Sequence, residues 1–313
     1  LSRANAGIND YLSLLYQPIV CDPASVNEEL DGVDVAVATR WDTVNLVKEA
    51  VRNRKCRKGA YFVQDFEPAF YPPGSTEAYQ AEQTYVSGLP MLAKTDWLLA
   101  KLAPYSRACW KVPFGLNLEV FRRDPSVNRE FDFVAMGRPG SQHRNWPGTV
   151  RILERIRLQR PESRIAIYGF GYPSSEVPEG VTDFGHLTQM ETVAQLLSKS
   201  EVLIDASTFQ GFGRMGLEAM ACRTATVLTP FGGIVEYAKH QYNCDMHDPS
   251  DVDGFARVAV SLLEDKRRLR KYRKLGVATA RQFDMHREAV IWKNVLNEIA
   301  RDPIPIDARG PGA

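Results

Sequence analysis

Residues 207–233, STFQGFGRMGLEAMACRTATVLTPFGG, hold the densest set of chemically useful groups in the chain. Gly211, Gly213 and Gly216 stand ahead of an apolar helical pattern that carries one carboxylate, Glu218, and the strand pattern EVLIDAS (201–207) runs straight into them. Glycines between a strand and a helix let backbone N–H groups approach a ligand, and the helix dipole there favours negative charge. A phosphate or diphosphate suits such a turn. A carboxylate beside it can accept two hydroxyls, as a ribose presents through its 2′ and 3′ oxygens. Glu218 is therefore expected to grip a sugar ring next to the phosphate. The plainer alternative has the glycines serving tight packing and Glu218 acting as a helix-terminal acid favoured by the dipole. Carboxylates are so rarely buried unpaired that the binding reading outweighs it.

The elements that would position this turn are legible around it. Short β-branched runs alternate with amphipathic stretches of helical length, the pattern of an α/β protein with parallel sheets. The first part contains strand VDVAVATRW (33–41), a helix over 43–55 with Val44, Val47, Ala50 and Val51 on one face, and strand GAYFVQDFE (59–67). The second part contains strand FDFVAMG (131–137), helix WPGTVRILERIRLQ (146–159), strand RIAIYGFG (164–171) and strand EVLIDAS, followed by the glycine-rich turn. Between them EVFRRDPSVNRE is polar and aperiodic. The expected division is an amino domain at 1–118, a linker at 119–130, a carboxyl domain at 131–300 and a frayed Pro/Gly tail at 301–313. The carboxyl half has the strands of a complete doubly wound domain. The amino half has fewer and reads as incomplete. In doubly wound sheets ligands bind beyond the carboxyl ends of the strands, which is where the 207–216 turn falls.

Composition narrows the class. At 313 residues there is room for two domains, and 44% hydrophobic with 25% charged residues is the balance of a soluble globular protein. A net charge of +1 gives no global attraction to nucleic acid, and no nucleic-acid partner is expected. Five scattered cysteines without a CxxC pair argue against a zinc ribbon or a disulfide framework and fit a reducing cytoplasm. No apolar run approaches the roughly 18 residues that span a bilayer, and no secretory leader is legible. The expectation is a cytoplasmic protein, at most at the inner face of the membrane. The chain begins at Leu1 rather than methionine, as a trimmed piece of something longer would.

The stretch FQGFGRMGLEAMACRTATVLTPFGGIVEY closely resembles the signature of the retaining GT-B glycosyltransferases often called group 1 or family 4. The resemblance extends over most of the chain. FDFVAMGRP is similar to the first strand of that family's carboxyl domain, HRNW to its second basic element, and VPFGLN to the turn that ends its amino domain. YFVQDFEPAFYPPGS further resembles enzymes that build bacterial surface polysaccharides, rhamnosyltransferases among them. The resemblance implies two Rossmann-like domains facing a cleft and a nucleoside-diphosphate sugar as donor. It also implies a glycan or lipid-linked acceptor hydroxyl, retention at the anomeric carbon, and neither cofactor nor metal.

It assigns roles residue by residue. Glu218 matches the family's ribose-binding glutamate. The partner glutamate, which contacts donor sugar hydroxyls, falls on Gln210, a departure. Glutamine still hydrogen-bonds hydroxyls but brings no charge to an oxocarbenium-like transition state. Gly137 and Arg138 would face the donor diphosphate, with Arg144 as a second clamp and Arg214 as a third positive charge. Guanidinium groups fixed there stabilise a departing diphosphate. Without the resemblance each arginine reads as surface charge, and His143 as solvated. Gly169 in YGFG, with His186 and Leu187 in FGHLT, would line the base pocket, although an ordinary strand-ending turn explains YGFG equally well. Gly211, Phe212 and Gly213 would border the donor, and Gly232 and Gly233 its sugar.

In the amino half Gln64, Asp65 and Glu67 end a strand, and Asp42 follows VATRW in a comparable place. The family often has a histidine near Gln64. Each is a candidate for binding acceptor hydroxyls, against the alternative of a polar strand end without a role. Asp65 and Glu67, two apart, are expected to share a strand face. They also suggest a glycosidase acid/base pair, though no partner acid is assignable. The basic run EDKRRLRKYRKLG (264–276) suggests either peripheral contact with anionic lipid or an amphipathic helix with Leu269, Tyr272 and Leu275 inward. Two rival functions stand beside transfer. One is a nucleotide-sugar epimerase or phosphorylase-like enzyme on the same fold, the latter disfavoured because no lysine lies within 207–233. The other is a non-catalytic nucleotide-sugar-binding subunit.

Overall fold

The computed structural model describes residues 21–22, 25–106 and 108–301; the expected tail, apart from Arg301, lies outside the described residues. The chain forms two compact units. One comprises Leu1–Pro113 with Glu288–Ala313, the other Phe114–Arg287.

The first unit is built on a four-stranded parallel sheet in the order β1-β2-β3-β4: β1 (Val33–Ala38), β2 (Cys56–Val63), β3 (Met91–Ala93) and β4 (Cys109–Lys111). Helix α1 (Val44–Arg52) buries Val44, Val47 and Ala50, the face its spacing predicts. Helices α2 (Thr76–Gln83) and α3 (Asp96–Leu102) follow, each started by a hydroxyl that accepts from a first-turn N–H, Ser75 from Ala78 and Thr95 from Leu98. Tyr61, Val63, Met91 and Ala93 pack one face of the sheet against Val47, Ala50, Leu98 and Leu102. The other face, with Ala60, Leu92 and Val112, packs against Val295 and Ile299 of the last helix, α9 (Met285–Arg301). Parallel strands need cover on both faces, and here the chain returns from its far end to supply it.

The second unit has a six-stranded parallel sheet in the order β10-β9-β8-β5-β6-β7. Its strands are β5 (Phe131–Gly137), β6 (Ile165–Gly169), β7 (Val181–Asp183), β8 (Ser200–Asp205), β9 (Ala225–Leu228) and β10 (Asp245–Met246). Helices α4 (Trp146–Gln159) and α7 (Val252–Glu264) supply the core with Phe133, Ala135, Ile204 and Val227. Helices α5 (Met190–Ser198) and α6 (Arg214–Ala221) supply the core with Val134, Ala166 and Leu203. Helix α8 (Lys266–Ala280) buries Leu269, Tyr272, Gly276 and Ala280. The chain winds outward from β5 through β7, then restarts at β8 on the other side of β5, which makes a topological switch point there.

The observed division differs from the expected one at both ends. Residues 119–130 are fixed to the second unit, because Phe121 is buried, Asp124 N donates to Ser198 Oγ at 3.3 Å and Arg129 bonds the Ser200 and Arg223 carbonyls. Polar, aperiodic sequence reads as linker, yet these polar groups bond main chain. Residues from Glu288 onward belong to the first unit, because Val295 and Ile299 complete its core.

Candidate active site

β5 and β8 are neighbours at the switch point, and the loops leaving their carboxyl ends are stitched together. After β5 a short turn, Gln142–Arg144, ends in Asn145, whose φ of 52° is left-handed. Asparagine tolerates that conformation. Its side chain then works twice: Nδ2 donates to the Ala206 carbonyl at 2.9 Å, and Oδ1 accepts from Gly148 N at 3.3 Å to start α4. Thr208 N donates to the His143 carbonyl at 2.8 Å. These bonds bring Arg144 beside the glycine-rich loop.

There the polar groups form one chain. Arg144 Nη1 donates to Gln210 Oε1 at 2.6 Å. Gln210 Nε2 donates to Asp205 Oδ2 at 2.7 Å and to Ser207 Oγ at 3.0 Å. Asp205 Oδ1 accepts from Ser207 N at 3.1 Å and from its hydroxyl at 2.5 Å. Gln210 is 1% exposed and Asp205 3%. Asp205 was not singled out in the sequence, where it reads as the last residue of a strand. A carboxylate closing the otherwise apolar run VLIDA was the available signal.

Glu218 lies in the second turn of α6, whose residues from Met215 to Ala221 are all buried. That is too deep for a helix-terminal acid, since dipole effects fade within the first turn. Its Oε1 accepts from Arg214 Nε at 2.5 Å, and no hydrogen bond to Oε2 is found among the described residues. Burial pushes its carboxyl above the usual range, opposed by the charge and hydrogen bond of Arg214 and by the charge of Arg144. Arg138, Arg144, Arg214, Glu218, Tyr168 and Leu187 together line a cavity of about 280 Å³. Three positive charges thus face one buried carboxylate, an environment matched to a ligand carrying both phosphates and hydroxyls.

Other expected donor residues have protein neighbours that account for them. A Cβ at Gly216 would overlap Tyr237 Oη, and Tyr237 donates to the Gly213 carbonyl. Gly216 therefore admits the Tyr237 hydroxyl, and Gly213 admits Ile234 beside it. Phe212 is 4% exposed and packs among Phe114, Tyr237 and Phe283 within the core. Gly232, at φ 90°, bridges to Gln210, where a Cβ would overlap the Gln210 carbonyl, and Gly233 N donates to that carbonyl at 2.6 Å. The second glycine turn holds residue 210 in place. Gly211 sits in the same buried loop. Gly137 and Gly169 pair at the ends of β5 and β6 so closely that a Cβ on Gly169 would overlap the Gly137 carbonyl. His186 is exposed outside the cavity, its ring 4.6 Å from Phe170, over which Arg138 lies at 5.2 Å. His143, expected to be solvated, is 9% exposed and lies over Phe209 at 5.1 Å. Burial, then Arg144 and Arg138, push its pKa down to about 4, so it is neutral at pH 7.

The four amino-half candidates lie where the loop after β1 meets the loop after β2, and each has a protein partner there. Asp42 pairs with Arg40 at 2.5 Å on the surface, Gln64 Nε2 donates to the Thr39 carbonyl at 3.0 Å, and Asp65 accepts from Phe66 N at 2.9 Å. Glu67 is 3% exposed, and its Oε2 accepts from Trp41 N at 2.6 Å and from the Tyr61 hydroxyl at 3.0 Å. β2 ends at Val63 and Glu67 opens a separate turn, so Asp65 and Glu67 share no strand face. Glu67 ties that turn to the core, which is a poor position for meeting an acceptor. Burial pushes its carboxyl up to about 7. Among the described residues no three His, Cys, Asp or Glu side chains are grouped to hold a metal ion, and no helix is long and apolar enough to cross a membrane.

Comparison with known proteins agrees with this fold. Residues 130–265 match the family model described as "Glycosyl transferases group 1", and residues 23–95 match "WsaF, N-terminal domain". N-acetyl-alpha-D-glucosaminyl L-malate synthase of Bacillus anthracis is 35% identical over 80 residues, 26% of this chain and 21% of that protein. The fold, α/β with two parallel sheets, is that of GT-B enzymes. Anabaena Alr3699/HepE, solved with UDP and glucose, superposes with a TM-score of 0.75 at 16% identity, over 88% of this chain and 81% of that one. Sucrose-phosphate synthase of Thermosynechococcus elongatus gives 0.73 at 17% identity, over 85% of this chain and 74% of that one.

Proposed function

As residues 130–265 match the group 1 glycosyltransferases and the chain has the GT-B fold, we propose that it moves a glycosyl group from a nucleoside-diphosphate sugar to an acceptor hydroxyl with retention at the anomeric carbon. The observation that carries this reading is the convergence of Arg138, Arg144 and Arg214 with buried Glu218 on one cavity. In this reading Glu218 Oε2 accepts the ribose hydroxyls, and the arginines hold the diphosphate. The bond from the anomeric carbon to the diphosphate oxygen breaks as the acceptor oxygen bonds the same face. The acceptor proton passes to the departing oxygen. Charge gathers on the diphosphate during this step, and guanidinium groups already oriented stabilise it without reorganising. The arginines do this work themselves, so the proposal includes no metal.

A structure of similar fold supports a uridine nucleotide as the first donor to try, since Alr3699/HepE was solved with UDP-glucose. A role in surface-polysaccharide assembly is supported by the YFVQDFEPAFYPPGS resemblance, and that stretch falls inside the WsaF match. Titration calorimetry with UDP, GDP, ADP and dTDP, followed by NMR of the product anomer, tests the proposal. An inverted product would reject retention, and absence of binding by all four would reject the donor site.

One observation favours a second reading, a subunit that binds donor without turnover: both amide hydrogens of Gln210 are taken by Asp205 and Ser207. Normal nucleotide affinity with no transfer to any acceptor would select it.

A further inference from the structure

A different cavity of the second unit is walled by positive charge. Its volume is about 820 Å³, and it shares no lining residue with the cavity that contains Glu218. One wall is a face of α8 and its end, where Arg270, Arg273, Lys274 and Arg281 recur at helical spacing. Arg123 and Arg129, from the segment before β5, and Arg223, just past α6, form the rest. Among the described residues no acidic side chain lines it.

Little within the chain neutralises this charge. Arg223, Arg270, Lys274 and Arg281 are exposed and form no ion pair among the described residues. Arg123 and Arg129 are half-buried and donate to carbonyls, at 2.6 Å to Val127 and at 2.6 Å to Arg223. Arg273 meets Glu201, and its buried Nε has no partner. Among the described residues Glu201 is the carboxylate ion-paired within this set of seven cations, and Asp124 acts on Arg123 through its charge, in a chain whose net charge is only +1. The mutual repulsion of the cations is felt: burial, then Arg273 and Arg123, push the Arg129 pKa down to about 9, and burial, then Arg123, push that of Arg273 to about 10. An amphipathic helix explains the basic residues on α8 and main-chain hydrogen bonds explain Arg123 and Arg129, but neither explains why exposed Arg223, just past α6, adds its charge to the same hollow.

We propose that this cavity binds the phosphate groups of a polyanionic ligand, as a site separate from the donor cavity. Guanidinium groups match phosphate oxygens in pairs, and several converging from three segments give room for more than one phosphate. Its size is that of a ligand pocket rather than of a single-ion site. Lipid headgroups on an anionic membrane and a soluble polyphosphate present the same chemistry, and the test separates them.

The probes are inorganic tripolyphosphate, followed by calorimetry, and vesicles of equal parts phosphatidylglycerol and phosphatidylcholine, followed by co-sedimentation. Each is applied to the whole chain and to the variant Arg270→Ala/Lys274→Ala/Arg281→Ala. All three side chains are exposed, so the variant should melt with the parent and keep its nucleoside-diphosphate affinity. The expected result is binding by the parent and at least about tenfold weaker binding by the variant, as loss of charged hydrogen bonds implies. Tripolyphosphate binding without vesicle binding assigns a soluble ligand; vesicle binding lost in the variant assigns a membrane. Failure of the parent to bind either probe, or equal binding by the variant, overturns the proposal.

Discussion

Asp205 and Arg144 are joined through one glutamine: Gln210 donates to Asp205 at 2.7 Å and accepts from Arg144 at 2.6 Å. A buried amide can satisfy an anion on one side and a cation on the other while adding no charge of its own. A glutamate at this position would suit Arg144 but oppose Asp205 with nothing to donate. The departure that the resemblance marks at Gln210 thus has a local reason, since an amide there donates to Asp205 and a carboxylate could not. Gln210→Glu is expected to lower stability by about 3 kcal/mol, the scale of a broken buried polar pair, and to lower turnover rather than raise it. Asp205→Asn/Gln210→Glu should recover most of the lost stability. Thermal melts of the parent and these two variants check this, and a Gln210→Glu variant as stable as the parent would count against it.

Glu218→Ala should weaken nucleoside-diphosphate binding by about tenfold to a hundredfold, the value of charged hydrogen bonds to a sugar. It also releases Arg214, its 2.5 Å partner, which can then reach the diphosphate. The loss should therefore be larger for a free nucleoside, which has no phosphate to benefit. Calorimetry with uridine and UDP reads both effects, and equal affinities of variant and parent would remove Glu218 from the ribose.

Much of this was legible in the sequence, for reasons that also mark the limit. Val44, Val47 and Ala50 declared a helix face because burial follows spacing. Glu218 stood out because an acid inside the apolar run GLEAMA is rarely buried unpaired. The glycines were harder. Gly213 and Gly216 look the same in sequence whether a phosphate or the side chains of Ile234 and Tyr237 fill the space beside them. Val295 and Ile299 signalled that the last helix packs, but periodicity names no partner, and their sheet lies more than 180 residues earlier in the chain, at Leu92 and Val112. Asp205 escaped because its importance lies in Gln210, a contact between a strand end and a loop.

The two units should respond to pH in opposite directions. Glu67 rises from an ordinary 4.5 to about 7 on folding, so between those values the folded state binds more protons than the unfolded. Stability of the first unit then falls as pH rises from about 4.5 to about 7, by about 3 kcal/mol, and levels above. Glu67→Gln keeps an acceptor for Trp41 N and the Tyr61 hydroxyl and should flatten that slope. His143 falls from 6.5 to about 4, so the unfolded state binds more protons between those values, and stability of the second unit rises with pH across that window. Melts from pH 4 to pH 8, comparing parent with Glu67→Gln, isolate the first contribution. An unchanged slope would mean Glu67 is not buried as a carboxyl.

Gly216→Ala sets helix propensity against packing. Alanine is favoured over glycine within a helix by about 1 kcal/mol. Its methyl, however, would overlap the Tyr237 hydroxyl, which is buried and held by the Gly213 carbonyl. Overpacking of this kind typically costs about 1–3 kcal/mol, and Tyr237 has little freedom, because its ring lies against Phe212 at 5.4 Å and Phe283 at 6.2 Å. A net loss of about 2 kcal/mol is expected. Tyr237→Phe alone also destabilises, by leaving the Gly213 carbonyl short of a donor. Removing the hydroxyl removes the clash, so Gly216→Ala/Tyr237→Phe should lose less than the sum of the single variants, a coupling that only contacting residues show. Additive losses, or a Gly216→Ala variant that melts above the parent, would mean that the space beside α6 is open to a ligand after all.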